Sequence, residues 1–336
     1  MSTGSKALVL GATGHIGSAI TRQLLERGYA VTAATRRQKL PKNLSGLDLA
    51  VVSGDADEPG RLARWVAGHD VVVDAAAPYP IQLFHATQRA EAEPLRYAEG
   101  RTRALLDAVS QHDAHLLLIS SFVTLPRTLH PWKQMRSRMV RATHPYFAVK
   151  ERIEALVFDA TGAGLRATVI NPTVCLGPWD MKPSEFCLIP QLLRGRVLAS
   201  TTTAINVVDV RDVAQTAVAA LESAAQDAAG PARPIPVSGH NIRSSDLVAE
   251  ICRQGGVAAP SWRAPVALGM AMAYWAEAAL ALSGRPSPYP ALVPLLLGEC
   301  YPMSLSPEQR ALGVTPLPLE QTLLESIEWY QSIGYC

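Results

Sequence analysis

The stretch VLGATGHIG, residues 9–17, stands between a short apolar run and an amphipathic one. The run Lys6–Leu10 is typical of a strand, and the apolar spacing over Ile16–Arg27 predicts a helix. A tight turn from strand to helix needs glycines, because the backbone must approach its ligand with no Cβ atom in the way. The free N–H groups at the helix N-terminus then favour phosphate. We expect the chain to begin with a phosphate-binding βα unit.

Further apolar runs of strand length alternate with helical patterns through the first half of the chain. Continuous apolar strands separated by helices indicate a parallel sheet that is covered on both faces. The predicted fold class is therefore α/β, a doubly wound parallel sheet (Rossmann) with its ligand site at the carboxyl ends of the strands. The strands predicted after the first are Tyr29–Thr35, Asp48–Val52, Val71–Ala76, Leu116–Ser120 and Val169–Asn171.

The ends of the second and third strands indicate the dinucleotide. A site for NAD usually has an acidic residue after the second strand, but this chain has Arg36 and Arg37. Cations suit the 2′-phosphate of NADP. We predict that NADP(H) is preferred and NAD(H) possible, with Arg36 the more important arginine. Asp55, after the third strand, is expected to accept from the adenine amino group, to cap the next helix, or both.

The stretch HPYFAVKERIE, residues 144–154, places a tyrosine and a lysine one helical turn apart. Tyr146 and Lys150 would share a helix face, where the ammonium lowers the pKa of the tyrosine hydroxyl and can hold the nicotinamide ribose. The strand HLLLISS ends at Ser120 and Ser121, and a serine there can orient a carbonyl group. These groups together predict a site that moves a proton while nicotinamide moves a hydride.

These motifs resemble the extended short-chain dehydrogenase/reductases, in particular their dihydroflavonol-reductase-like and 3β-hydroxysteroid-dehydrogenase-like branch. GATGHIG is similar to the family's TGxxGxxG loop, LISSFV to its serine strand and YFAVK to its catalytic YxxxK. NPTVCLGPWDMKP, INVVDVRDVA and IEWYQSIGY are similar to later segments of the family. The resemblance spans nearly the full chain. It implies an NAD(P)-dependent oxidoreductase with Ser121 as the catalytic serine; Val149 departs from the family's usual Ser or Thr.

The motifs and the resemblance together predict the residues around the cofactor and the substrate. The cofactor would be bound by Gly11, Thr13, Gly14, His15, Ile16, Gly17, Arg36, Arg37, Asp55, Ala56, Ala75, Ala76, Ala77, Lys150, Pro172 and Val174. The substrate would contact Pro78, Tyr79, Phe122, Val123, Asn171, Trp179, Met181 and Trp275.

The texture of the chain changes after Asn171, where prolines and small residues multiply. We predict a dinucleotide-binding domain at 1–171 and a smaller substrate-binding lobe at 172–336, with elements at about 201–240 returning to the sheet. Apolar and aromatic residues of this lobe are expected either to line a cover over a hydrophobic ligand or to be plain core. They are Trp262, Met270, Met272, Tyr274 and Trp275.

The resulting functional prediction is an NADPH-dependent reductase of a ketone or aldehyde on a hydrophobic, ring-bearing small molecule. The triad does not choose among the family's activities. Dehydratases usually add acidic residues beside the serine, and Phe122 and Val123 stand there instead. A non-catalytic, dinucleotide-binding redox sensor is an alternative of another class. A nucleotide-sugar epimerase is a second enzymatic alternative, with candidate cations for a diphosphate at Lys182, Arg194, Arg196 and Arg211.

Charge and composition limit the partners. A formal net charge of +2 gives no strong field for nucleic acid. Five cysteines without a CxxC pair predict reduced thiols, no metal site and, with no signal-peptide pattern, a cytoplasmic protein. The apolar segment Ala264–Ser283 contains Glu277, so we expect a helix that is buried or lies against a lipophilic surface, not a membrane span.

A homodimer is possible through two helices, which in the family often form a four-helix bundle. They are Gly100–Gln111 and Tyr146–Asp159 in this chain. We expect Arg101, Arg103 and Arg152 to make their exposed faces charged.

Overall fold

The computed structural model describes residues 4–37, 39–78, 80–81, 93–127, 130–182, 187–197, 199–224, 232–285, 287 and 290–336. Its strands are β1 (Lys6–Leu10), β2 (Ala30–Thr35), β3 (Ala50–Ser53), β4 (Val71–Asp74), β5 (His115–Ile119), β6 (Ala167–Pro172), β7 (Val174–Leu176), β8 (Ala199–Ser200), β9 (Ala204–Asp209), β10 (Pro234–Val237), β11 (His240–Arg243) and β12 (Trp262–Arg263).

The α-helices complete the framework between and after these strands. They are α1 (His15–Glu26), α2 (Arg61–Val66), α3 (Pro94–Gln111), α4 (Pro131–Ala142), α5 (Pro145–Gly162), α6 (Leu188–Leu193), α7 (Val210–Ala224), α8 (Ser244–Gln254), α9 (Val266–Ala281), α10 (Leu292–Glu299), α11 (Pro307–Ala311) and α12 (Leu319–Ser332). Short 3₁₀ turns lie at Lys42–Leu44 and Phe122–Thr124.

Seven strands form one parallel sheet in the order β10-β6-β5-β4-β1-β2-β3. Successive side chains of a strand point to opposite faces, so each central strand feeds two cores. In β1, Ala7 and Val9 join the core under α1 and α7, whereas Leu8 and Leu10 join the core under α3 and α5. The doubly wound α/β fold predicted from the apolar runs is confirmed.

The C-terminal half builds a smaller body beside the sheet. β7, β9 and β11 form a three-stranded sheet, and α12 packs there through Leu323, Ile327 and Tyr330. β10 returns to the edge of the large sheet beside β6. The limits of the two domains at residue 171 stay a prediction.

An ion-pair network holds α12 to the end of β9. Arg211 pairs with Asp209 at 2.7 Å and also with Glu325, while the Thr322 hydroxyl donates to Asp209 at 2.7 Å. The suggestion that Arg211 serves a diphosphate is therefore corrected, because two carboxylates of the protein already bind its guanidinium.

The apolar segment predicted over Ala264–Ser283 forms the helix α9. Of its residues only Ala273 and Glu277 are buried, which differs from plain core. Met270 is half-buried and packs against the cluster of Phe122 and Tyr146, as a cover would. Trp262, Met272, Tyr274 and Trp275 are exposed, and the exposed fraction of Trp275 is 71%. In the part of the chain that the structure describes, no helix combines the length and apolar character needed to cross a bilayer.

Candidate active site

The glycine loop packs tightly against the end of β4. Gly11 has φ +78, and a Cβ atom there would lie 2.7 Å from the carbonyl carbon of Ala75. A Cβ on Gly17 would lie 2.1 Å from the Gly11 oxygen. The Gly14 N–H donates to that same oxygen at 2.9 Å, and Gly14 is the N-cap of α1. The loop therefore needs glycines for its own closure as well as for access to a ligand.

A pocket of about 340 Å³ opens at the carboxyl ends of β1 to β4. The predicted cofactor and substrate residues that line it are Gly11, Thr13, Arg36, Asp55, Ala56, Ala76, Ala77 and Pro78. Its size and its position at the strand ends suit part of a dinucleotide. Lining residues that the sequence did not assign to the cofactor or substrate include Thr35, Asp57, Trp65, Tyr97 and Arg101. Thr35 and Asp57 had a sequence signal, as neighbours of the predicted Arg36 and Ala56.

The charged residues of this pocket differ in their engagement. Arg36 is exposed and, among the residues described, forms no ion pair. The Arg37 side chain is not part of the lining, although its N–H donates to the Thr35 hydroxyl at 3.0 Å. Asp55 accepts from the Asp57 N–H at 3.1 Å and so caps a turn. The expectation that it caps the next helix is wrong, because α2 begins only at Arg61.

Arg101 forms a buried ion pair at the back of the pocket. Its guanidinium donates twice to Asp74, at 2.8 and 2.9 Å. Burial by itself raises the pKa of Asp74, but the Arg101 charge holds that pKa below its ordinary value. The prediction that Arg101 lies on an exposed helix face is wrong. The partner that makes its burial tolerable lies 27 residues away in the chain.

Two of the predicted catalytic side chains, Ser121 and Tyr146, meet at the end of β5. The Tyr146 hydroxyl donates to the Ser121 hydroxyl at 3.1 Å, and both are buried. Lys150 follows one turn later on α5 and is also buried. α5 begins at this point because Pro145 takes its first position and His144 Nδ1 accepts from the Tyr146 N–H. The local sequence thus fixes Tyr146 in the first turn of α5.

Lys150 lies among charges of both signs. Burial lowers its pKa from 10.5 to about 8; the carboxylates of Asp74 and Glu154 oppose that shift, and Arg101 adds to it. Glu154 is one turn beyond Lys150 and equally buried. A lysine in this setting can change protonation state near neutral pH, unlike one in solvent.

Glu154 is the centre of a polar network that the sequence did not reveal. It accepts from Ser120, from the Thr124 hydroxyl at 2.6 Å and from the Asn171 amide at 3.1 Å. The same amide donates to the Ser121 carbonyl at 3.1 Å. The two serines are therefore separated in role, since Ser120 faces Glu154 and Ser121 faces Tyr146. Asn171, predicted to touch substrate, here fixes the backbone of the serine loop.

The surroundings of Tyr146 are apolar. Phe122 and Val123 share a core cluster with Tyr146, Phe147, Leu292 and Leu295. Phe122 and Val174 also line a crevice with Cys300, Tyr301 and Met303 that has no room for water. These three C-terminal residues were not predicted.

The remaining predicted residues are placed as follows. His15, Pro172 and Ile16 are buried or half-buried beside the loop and β6, and Met181 is half-buried. Trp179 is tied to the glycine loop by Asn43, whose side-chain amide donates to the carbonyls of both Thr13 and Trp179, and Arg22 stacks on the indole ring. The structure does not describe Tyr79. Trp275, on the outer side of α9, is not brought to the candidate site.

Comparison with known proteins agrees with the fold. The chain matches the model of the NAD dependent epimerase/dehydratase family over residues 7–232. It is 28% identical, over 97% of its length and 95% of the relative's, to a protein of Synechocystis sp. provisionally named as a dihydroflavonol 4-reductase. The solved structure of gox2253 superposes with a TM-score of 0.75, at 24% identity and 99% coverage of both chains.

A further solved structure is UDP-glucuronic acid 4-epimerase from Bacillus cereus, in complex with UDP-glucuronic acid and NAD. It has a TM-score of 0.70 at 17% identity, covering 98% of this chain and 99% of that one. The parallel sheet and the glycine loop define a Rossmann-type dinucleotide-binding protein. The chain belongs to the NAD-dependent epimerase/dehydratase family, and it is an NAD(P)-dependent oxidoreductase. The resemblance to the extended short-chain dehydrogenase/reductases is thereby confirmed.

Proposed function

We propose that this protein uses NADPH to reduce a ketone or aldehyde on a hydrophobic, ring-bearing small molecule. The observation that carries the proposal is the hydrogen bond from the Tyr146 hydroxyl to the Ser121 hydroxyl, with Lys150 buried one turn away. The apolar cluster of Phe122, Val123 and Phe147 around this pair supports an apolar substrate. The reductase name of the Synechocystis relative supports a reduction of this class.

The residues present fit a dinucleotide. The cradle at Gly11 and Gly17 has no space for Cβ atoms, the pocket extends from the glycine loop to Asp55, and Arg36 offers a cation at its rim. We assign the pyrophosphate to the glycine loop and N-terminus of α1, and the 2′-phosphate to Arg36. When bound, the reduced nicotinamide supplies the hydride that adds to the carbonyl carbon.

The protein's own groups manage the proton. The Tyr146 hydroxyl donates its proton to the carbonyl oxygen, so that the product is an alcohol. The Lys150 ammonium stabilises the phenolate that remains, and solvent returns the proton. Ser121 holds the substrate oxygen in line with the tyrosine. Glu154 and Asn171 keep the serine loop in place through the bonds described above.

Substitution of the tyrosine tests the chemistry. Tyr146→Phe should lower kcat for carbonyl reduction by about 10²–10⁴-fold, because it removes the proton donor and leaves the fold intact. Binding of NADPH, followed by fluorescence titration, should stay near wild type. Tyr274→Phe on the exposed face of α9 is the matched control and should change neither quantity. Near-normal turnover in Tyr146→Phe would disprove the mechanism.

Cofactor choice is tested separately. Arg36→Ala should weaken NADPH binding about tenfold or more and leave NADH binding unchanged, since only the 2′-phosphate is affected. Arg37→Ala is the neighbouring control and should leave the binding of both nucleotides unchanged, because its side chain does not line the pocket. Purified protein should also be denatured and any released nucleotide identified. NAD retained in stoichiometric amount would favour a sugar epimerase, and wild-type protein that binds NADPH but reduces no carbonyl compound would favour a redox sensor.

A further inference from the structure

The helix α4 projects an apolar stripe into solvent. None of its residues is fully buried. Trp132, Met135 and Met139 follow a spacing of three and four residues, so they share one face, with exposed fractions of 54%, 62% and 65%. Large exposed apolar side chains in a contiguous stripe are unusual on a soluble surface and indicate a binding face.

The charges of α4 are all positive. The helix contains Lys133, Arg136, Arg138 and Arg141, and no acidic residue. Arg141 is held by Glu151 and by the Val123 carbonyl, which leaves three cations on the outer surface. The Lys133 ammonium lies 5.8 Å from the centre of the Trp132 ring. A basic helix with an apolar, tryptophan-bearing face has the composition of helices that lie in a membrane interface.

The helix α9 carries a second exposed apolar stripe. Leu268, Met272 and Trp275 are exposed at spacings of four and three residues, and Leu282 beyond the helix is 93% exposed. The acidic residue of this helix, Glu277, is turned inward, where it accepts from the Ala291 N–H at 2.8 Å. Over residues 260–300, the exposed charges of the described chain are therefore Arg263 and Arg285, both positive.

The two helices belong to one part of the molecule because both contact α10. Glu299 at the end of α10 accepts from Arg127 and from Ser137 of α4, the latter at 2.7 Å. We propose that the exposed faces of α4 and α9 form a docking surface for an anionic phospholipid bilayer. A second copy of this chain is a poorer occupant, because pairing this surface with the same surface of another copy would place cations against cations.

Binding would be interfacial and would depend on charge. The apolar side chains enter the boundary between headgroups and acyl chains while the arginines contact anionic headgroups. Docking in this way requires neither bound cofactor nor the residues assigned to catalysis. It is also consistent with the absence of a spanning helix among the described residues.

Vesicle co-sedimentation of the full-length protein tests the proposal. Wild type should bind vesicles of phosphatidylcholine with phosphatidylglycerol, bind phosphatidylcholine alone at least about tenfold more weakly, and be released by salt. Arg136→Glu/Arg138→Glu and Met135→Ser/Met139→Ser should each lower binding about tenfold. Two exposed positions elsewhere serve as controls, since Arg103→Glu on α3 and Leu324→Ser on α12 should bind as wild type does.

Three results would overturn the proposal. One is the absence of binding to anionic vesicles, and another is equal loss of binding in the control variants. The third is a wild-type dimer, seen by sedimentation velocity, that Met135→Ser/Met139→Ser converts to a monomer, since the surface would then belong to a second copy. A direct readout is tryptophan quenching by brominated phosphatidylcholine in the bilayer, which should fall in Trp132→Phe/Trp275→Phe.

Discussion

The Lys150 ammonium is buried and is influenced by two carboxylates, Asp74 at the end of β4 and Glu154 one helical turn further along α5. Asp74 is already neutralised by Arg101. The pKa of Lys150 is therefore the result of opposing effects. Burial is the largest of them and lowers the pKa to about 8. Small changes in the charges around Lys150 should therefore move its pKa relative to the pH at which the enzyme works.

The pH dependence of stability should report this burial. Below about pH 8 Lys150 is charged in both states, and above 10.5 it is neutral in both. Between these values the unfolded chain binds more protons, so the free energy of unfolding should rise with pH by up to about 1.4 kcal/mol per unit. Urea unfolding of cofactor-free wild type and Lys150→Met from pH 7.5 to 10.5 measures it. Parallel curves for the two proteins would exclude the effect.

Glu154→Gln should lower the Lys150 pKa further. The carboxylate of Glu154 raises that pKa, and glutamine removes the charge while it keeps an acceptor oxygen for the Ser120, Thr124 and Asn171 bonds. NMR of labelled lysine side chains, assigned by the signal missing in Lys150→Met, gives the pKa directly. Glu151→Gln changes an exposed neighbour on the same helix and should have no effect. An unchanged pKa in Glu154→Gln would contradict the balance described above.

At the scale of elements, the glycine loop depends on backbone packing as much as on ligand access. Gly17→Ala should destabilise the protein by about 1–3 kcal/mol, because the new Cβ atom would overlap the Gly11 carbonyl and force the loop to shift. NADPH binding should weaken with it. Gly100→Ala, in the exposed middle of α3 with no atom within 4 Å of the new Cβ, should stabilise by about 0.5–1 kcal/mol. Thermal unfolding and NADPH titration measure the stability and cofactor affinity of both variants. Equal changes in Gly17→Ala and Gly100→Ala would refute this account.

Periodicity and local motifs predicted most elements. The strands were found because buried parallel strands are apolar throughout, and the βα loop because its glycines lie between two clear patterns. Arg101 was misplaced because its partner Asp74, at the end of β4, lies 27 residues away in the chain, beyond any local rule. Glu154 was missed for the same reason, since its three donors come from distant segments. Composition did not decide whether α9 is covered or exposed, because an apolar helix can be buried in protein or lie against a lipophilic surface.

For the whole molecule, the two parts of the chain are joined close to the serine loop. Arg127, a few residues after Ser121, donates to the Glu299 carbonyl at 2.8 Å and to its carboxylate. Ser137 donates to the same carboxylate, and Arg141 lies 3.8 Å from it. Glu299 is thus the shared acceptor that holds α4, α10 and the loop after β5 together. Glu299 therefore adds a buried polar contact to the apolar packing of Leu292 and Leu295 against Phe122 and Tyr146.

Removing that charge should loosen the molecule at this joint. Glu299→Gln leaves the largely buried Arg127 without its counter-ion, while Arg141 keeps Glu151, so the free energy of unfolding should fall by about 3 kcal/mol. Glu222→Gln breaks a partly exposed pair with Arg27 and should cost less than about 1 kcal/mol. Urea unfolding with intrinsic fluorescence compares the two variants. Because α10 also packs on Phe122 and Tyr146 through Leu292 and Leu295, Glu299→Gln should lower kcat as well. A variant as stable and active as Glu222→Gln would show that the serine loop holds its position without the C-terminal body.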